Sequence, residues 1–198
     1  MATLADDDIK AQIIKIARDA LQSAAERRDL PPLDVSNLPA CLRQPGASFV
    51  TLSKNKTLRG CIGALEARIP LAEDIRQHAV AAAIHDYRFP SIQAEEVNDI
   101  QIEVSILTEP TQLEYNDAEE LLEVLRPQVD GVIITDGTKR ATFLPHVWER
   151  ITSPSLFLSM LCEKANLPSD AWRKGDLQVF IYQVETIHEG KRPNAEKH

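Results

Sequence analysis

The chain is poor in the residues that announce several common chemistries. It has three cysteines, Cys41, Cys61 and Cys162, in 198 residues. The count is odd and no C-x-x-C pair occurs, so neither a disulfide framework nor a zinc ribbon is indicated. Basic charge is also scarce: 22 Lys and Arg face 30 Asp and Glu, for a net charge of -8. That balance leaves no broad cationic face for a phosphate backbone, and no nucleic-acid partner is expected. The longest unbroken apolar run, Ala79 to Ile84, is far too short to span a bilayer, so no membrane partner is expected either. Asp6-Asp7-Asp8 stands where a secretory signal would need an apolar segment. With unpaired cysteines, that points to a reducing, cytoplasmic compartment. Gly131 to Gly137 lacks the G-x-x-x-x-G-K pattern of a phosphate loop. Consecutive aspartates do not converge on one ion, and His78 and His85 lie seven apart rather than four. No metal and no cofactor are expected.

What is present is an ordinary globular composition, 43% hydrophobic and 26% charged. Ile9, Ile13, Ile16, Ala17, Ala20, Leu21 and Ala24 recur at helical spacing and predict a helix over 9–28. Residues 30–47 hold four prolines and read as a loop. Strands over 49–53 and 57–65, joined by Lys54-Asn55-Lys56, read as a β-hairpin. A helix over 70–86 follows, with a half-buried strand at 100–107. Residues 110–166 read as an excursion with a helix near 117–125, a hairpin around Asp136-Gly137, and a helix after Ser153-Pro154. One last strand is expected over 177–188, and a polar, frayed tail from Gly190. Helices are interleaved without a βαβ repeat. The expected class is therefore α+β, mainly antiparallel sheet with helices. A larger part, 1–109 with 167–198, holds both termini, and a smaller α+β subdomain, 110–166, is inserted.

One stretch stands out: Leu58-Arg59-Gly60-Cys61-Ile62-Gly63. It alternates like a strand yet carries two glycines, which weaken a strand interior and mark a bulge or a close approach. Strict alternation puts Arg59, Cys61 and Gly63 on one side and Leu58, Gly60 and Ile62 on the other. A cation and a thiol then share a face beside positions with no side chain. Nearby, Asp86-Tyr87-Arg88-Phe89-Pro90 combines an acid, a guanidinium and an aromatic. It can build an anion-gripping corner or a structural knot. Glu103 and Ser105 look away from the apolar face of their strand. If that strand neighbours 57–64, Glu103 reaches the side holding Arg59; otherwise it is a solvated residue on an open sheet face.

These motifs resemble the AMMECR domain family, whose prokaryotic members are also called AmmeMemoRadiSam system protein A. Beyond Leu58 to Gly63, Asp86-x-Arg88-Phe89-Pro90 is similar to the family's D-x-R-F-x-P region. Glu103-Val104-Ser105-x-Leu107-Thr108 is similar to its E-V-S-x-L-T strand. Gly131-Val132-Ile133-Ile134 with Ala141-Thr142-Phe143-Leu144-Pro145-x-Val147 is similar to its G-x-I-I and A-T-F-L-P-x-V regions. Phe157-Leu158-x-x-Leu161-Cys162-x-Lys164-Ala165-x-Leu167 fits as well. The resemblance runs from about residue 12 to 188 and makes the whole chain one AMMECR-type domain. It implies a two-part α+β fold, with the shared motifs near a cleft, and association with Memo-type and radical-SAM-type proteins. It implies no reaction. His146 stands where members often have glutamine, so no histidine carries over as a general base.

The residues support two main readings. In the first, Arg59, Gly60, Gly63, Asp86, Arg88 and Glu103 bind a small anionic ligand or a partner segment. In the second, Cys61 is a reactive thiol whose pKa Arg59 lowers, with Asp86, Arg88 and Glu103 orienting substrate or moving protons. A third, purely structural reading makes Gly60 and Gly63 packing residues and Cys61 filler.

Overall fold

The structure is a computed structural model and describes residue 4 and residues 6–190. In chain order the elements are α1 (Asp7–Ala25), α2 (Ala40–Arg43), β1 (Pro45–Lys54), β2 (Thr57–Gly63), β3 (Ile69–Pro70), α3 (Leu71–Ile84), β4 (Ile100–Leu107), β5 (Thr111–Gln112), α4 (Ala118–Val124), β6 (Gly131–Thr135), β7 (Arg140–Phe143), α5 (Pro154–Lys164), β8 (Gln178–Tyr182) and β9 (Val184–His188). Short 3-10 turns at Val35–Asn37, Ala94–Asp99, Pro145–Glu149 and Ala171–Lys174 link them. The class is α+β with antiparallel pairing. The chain divides into two compact units. One runs up to Leu107 and resumes at Glu185; the other is Thr108–Val184.

In the first unit the strand order is β2-β1-β4-β9, with β3 pairing β1 off that path. Ile9, Ile13, Ala17 and Leu21 bring the apolar stripe of α1 into the core. They meet Ile75, Ala79 and Ala82 of α3, and Val50, Leu52, Ile102 and Val104 of the sheet. Asp6 caps α1 by accepting from the Asp8 amide at 3.0 Å. The helix stops at Ala25, earlier than the pattern predicts, because Arg27 adopts φ 54°, a left-handed turn. Within the stretch expected to be a loop, the four-residue α2 forms and β1 begins at Pro45. An arginine lies inside this core. Arg18 on α1 donates to the carbonyls of Val97 (2.9 Å) and Ile100 (2.8 Å) and pairs with Glu189, just beyond β9. That buried ion pair fastens the end of β9 to α1.

The second unit has its own sheet, β5-β8-β6-β7, and its own core of Val132, Ile134, Trp148, Phe157, Leu158, Leu161, Cys162 and Trp172. Trp148 stacks on Phe157 at 3.6 Å and donates its indole N–H to the Asp130 carbonyl at 2.8 Å. Cys162 is fully buried here, as its helical stripe predicts. The single strand expected over 177–188 is two strands. β8 pairs with β6 and β5 in the second unit, while β9 joins β4 in the first. The break falls at Gln183, whose amide donates to the Thr108 hydroxyl and whose carbonyl accepts from the Thr108 amide, both at 2.9 Å. Residues 167–184 therefore belong with the second unit, not with the larger part as the sequence reading has it. The tail after Gly190 lies outside the described residues.

Candidate functional site

Strand β2 folds back on β1 through Asn55 and Lys56, both at positive φ (52° and 64°), the conformation of a two-residue hairpin turn. The register is Thr51↔Cys61 and Leu52↔Gly60, then Ser53↔Leu58. Arg59 has no partner in this ladder: it is the extra residue of a β-bulge. Strict alternation consequently fails below Gly60. Leu58 falls opposite Ser53, on the side of Cys61, and Arg59 is re-aimed. Its Nη1 donates to the Pro90 carbonyl at 2.6 Å, its Nη2 to Glu96 Oε2 at 3.0 Å, and its Nε to Glu96 Oε1 at 3.3 Å. The Glu96 carboxyl is held below its ordinary value, chiefly by these hydrogen bonds. Arg59, 15% exposed, is committed to this knot rather than to an open surface.

Of the roles expected for the two glycines, the geometry shows close approach. Gly60 faces α3: a Cβ there would lie 2.1 Å from the Ala82 carbonyl oxygen. The alanine-rich half of α3 rests on bare backbone at this point. Gly63 lies against Phe49, where a Cβ would approach the ring to 2.3 Å and the Ser48 carbonyl to 2.4 Å. Both are close-approach glycines, and neither opens room for a ligand.

Asp86 and Arg88 are brought to Cys61 from the end of α3. Asp86 is buried, and its Oδ2 accepts from the Cys61 amide at 2.8 Å and from Arg88 Nη2 at 2.6 Å. Its Oδ1 accepts from Arg88 Nε at 2.8 Å and from the Arg88 amide at 3.2 Å. Arg88 Nη2 also donates to the Cys61 carbonyl at 3.0 Å. Because β2 is an edge strand, the pair meets the outward N–H and C=O of Cys61 much as the next strand's peptide would. Hydrogen bonds from Arg88 hold the Asp86 carboxyl far below its usual range despite burial, and the same contact raises Arg88. Of the two possibilities for this corner, knot and anion grip, the knot is therefore built. One part of Arg88 is left over: Nη1 has no partner among the described residues, and the side chain is 44% exposed. Tyr87, beside it in the chain, is 95% exposed.

Cys61 itself is half-buried, and its Sγ accepts from the Thr51 hydroxyl at 3.3 Å. No carboxylate or imidazole is hydrogen-bonded to this sulfur among the described residues. Glu103 is opposite Thr51 on β4, so β1 separates it from β2. Its partner is His188 of β9, at 3.3 Å, not Arg59. Ser105 and Thr186 meet at 3.4 Å. His78 is tied to Asp74, which also accepts from Ser48, and His85 is exposed. Among the described residues no cluster of three or more His, Cys, Asp and Glu could hold a metal. Sequence reasoning missed Thr51, Glu96 and His188. Each acts through strand register or a 3-10 turn that residue types alone do not reveal.

A two-unit α+β chain with a bulged R-G-C-I-G edge strand and a D-x-R clamp on its cysteine defines a narrow class. The sequence model described as AMMECR1 matches residues 14–187, and the chain belongs to that family. A protein of Thermofilum pendens is 36% identical over 196 residues, covering 90% of this chain and 89% of its own length. One of Methanothermobacter thermautotrophicus is 36% identical over 185 residues, covering 89% and 92%. The crystal structure of the uncharacterized protein PH0010 from Pyrococcus horikoshii superposes with a TM-score of 0.76 at 30% identity, over 90% of each chain. No helix among the described residues is long and apolar enough to cross a membrane.

Proposed function

We propose that the chain is a binding module rather than a thiol enzyme, and that its recognition surface is the corner where Arg88 and Tyr87 adjoin Cys61. The occupant is a small molecule or partner segment that presents an oxygen acceptor. One observation carries this reading: Arg88 is pre-oriented by two contacts to Asp86 and one to the Cys61 carbonyl at a strand edge, next in the chain to a 95% exposed Tyr87, and keeps the N–H groups of Nη1 unpartnered among the described residues. A donor whose rotamer is already locked loses little entropy on binding. Memo-type and radical-SAM-type proteins, the partners that family association implies, are the first source of segments to test. Titration of such a partner into wild type, Arg88→Lys and Cys61→Ser should show binding lost in the first variant and kept in the second. Lysine keeps a charge for Asp86 but not the planar fork. Binding that survives Arg88→Lys and fails in Cys61→Ser sinks the reading.

The second reading, a reactive thiol, has one contact in its favour. The Thr51 hydroxyl donates to the Cys61 sulfur at 3.3 Å. Iodoacetamide labelling against pH decides it. A midpoint near the ordinary ~8.5 removes the case for an activated nucleophile.

A further inference from the structure

Resting on that binding reading, we infer that the Arg88 corner selects an uncharged acceptor, the main-chain carbonyl of an extended partner segment, and discriminates against anions. The argument starts from what Asp86 leaves of the guanidinium. Nε and Nη2 are spent on the carboxylate and on the Cys61 carbonyl. A bidentate fork across two nitrogens, the usual grip on carboxylate or phosphate, is therefore closed. Nη1 alone remains, and it suits a single oxygen.

Charge points the same way. Asp86 is ionised and in contact with Arg88, so the pair presents a dipole and no net charge. An incoming anion feels Arg88 first, but Asp86 lies only a guanidinium's width further off and cancels much of the attraction. Two other cations of this unit are engaged elsewhere. Arg59 is spent on Glu96, and Lys54 is shared between Glu96 (3.6 Å) and Asp99 (3.3 Å). The chain as a whole carries -8. A carbonyl oxygen needs only the donor.

Aromatic surface adjoins the guanidinium. Tyr87, next to Arg88 in the chain, is 95% exposed, and Phe89 lies beneath the Arg88 guanidinium at 5.4 Å. A segment with an apolar side chain beside the bonded carbonyl matches this surroundings, whereas an inorganic anion uses none of it.

The test uses the full chain, ¹⁵N-labelled, with N-acetyl-leucinamide, N-acetyl-leucine and inorganic phosphate as probes. The shifts of the Arg88 Nε–H and the Cys61 amide are read up to about 50 mM, the range for single contacts. Arg126, a second aspartate-bound arginine in the other unit, is the internal control. The expected result is that the amide moves both signals with a Kd about threefold or more below that of the carboxylate. Phosphate moves neither, and Arg126 stays still. Asp86→Asn, checked for folding by its amide spectrum, should reverse the order. Tighter carboxylate or phosphate binding in wild type overturns this inference and leaves the binding reading standing. If no probe moves Arg88, the binding reading itself fails, and this inference with it. The wild-type comparison decides between these outcomes even if the asparagine variant does not fold.

Discussion

Each unit of the molecule contains a buried aspartate gripped by a partly exposed arginine. In the first unit Asp86 is 2% and Arg88 44% exposed; in the second Asp130 is 0% and Arg126 56% exposed. The chemistry is nearly identical. Asp130 accepts from the Arg126 amide (3.0 Å), Nε (3.1 Å) and Nη2 (2.6 Å), and Arg126 Nη1 is also unpartnered among the described residues. Burial works against the Asp130 charge, yet Arg126 and Gln183 hold its carboxyl below the ordinary range. A free guanidinium nitrogen is thus no signature of function by itself. The two clamps differ in what they hold. Asp130 closes its own five-residue loop and receives Gln183 at 2.9 Å. Asp86 reaches back 25 residues to the edge of a strand, beside a thiol and a fully exposed tyrosine. The second clamp is accounted for by the loop it closes; the first leaves a surface over.

The largest effect should come from removing the acids. Asp86→Ala strips the Cys61 amide of its acceptor and leaves Arg88 unpaired, which should cost about 3 kcal/mol. Asp130→Ala should cost a similar amount, since its carboxylate is the more deeply buried. Urea denaturation of both variants checks this. A loss under about 1 kcal/mol at Asp86 alone would mean that the edge of β2 does not depend on the clamp.

Under the first clamp, Gly60→Ala should destabilise by about 1–3 kcal/mol, because the new methyl group meets helix backbone rather than a yielding side chain. Gly137→Ala, in open space but at φ +94°, should cost only backbone strain, about 1 kcal/mol. Thermal melts that rank these two the other way would place α3 further from β2 than the geometry has it.

Acid should act on both clamps with the same sign. Both carboxyls have folded pKa values below their unfolded ones. Their contribution is therefore fully present above the unfolded value of about 3.9 and is lost as pH falls towards the folded ones. Stability measured from neutral pH down through about pH 5 to 2 should fall, and Asp86→Asn should flatten that slope. An unchanged slope in the variant would assign the acid sensitivity to Asp130 and the remaining carboxylates.

Much of the frame is legible in the residues. The stripe from Ile9 to Ala24 and the alternation from Ile100 to Leu107 fix one helix and one strand, because burial repeats with the period of the element. The site is legible as a location more than as an arrangement. Leu58 to Gly63 does lie beside Asp86 and Arg88, yet the bulge at Arg59 depends on pairing with β1, and a one-residue shift changes which side chains share a face. Gly60 shows in sequence as the mark of a bulge or a close approach; that α3 is what presses on it is a tertiary fact. The division at Gln183 is hidden for a similar reason. Val179 and Ile187 are both strand-like, and nothing local says that they serve different sheets. Glu96 reads as one more surface acid until Arg59 is turned towards it.

Tyr87 offers the smallest effect on the fold and the sharpest test of the difference between the clamps. Its ring is 95% exposed and removes little from water, so Tyr87→Ala should change stability by no more than about 0.5 kcal/mol. An exposed tyrosine supplies rigid contact area at low entropic cost. If the first clamp is a recognition corner, the variant should keep the native amide spectrum and the Asp86–Arg88 contact while losing most of the wild-type affinity for a partner segment. Val129, 45% exposed near the second clamp, provides the matched control: Val129→Ala should alter neither stability nor binding by a measurable amount. Equal losses of binding in the two variants would erase the distinction between the clamps. A loss confined to Tyr87 would locate recognition at the corner beside Cys61, where the guanidinium is rigid, its charge is cancelled and an apolar surface is left uncovered.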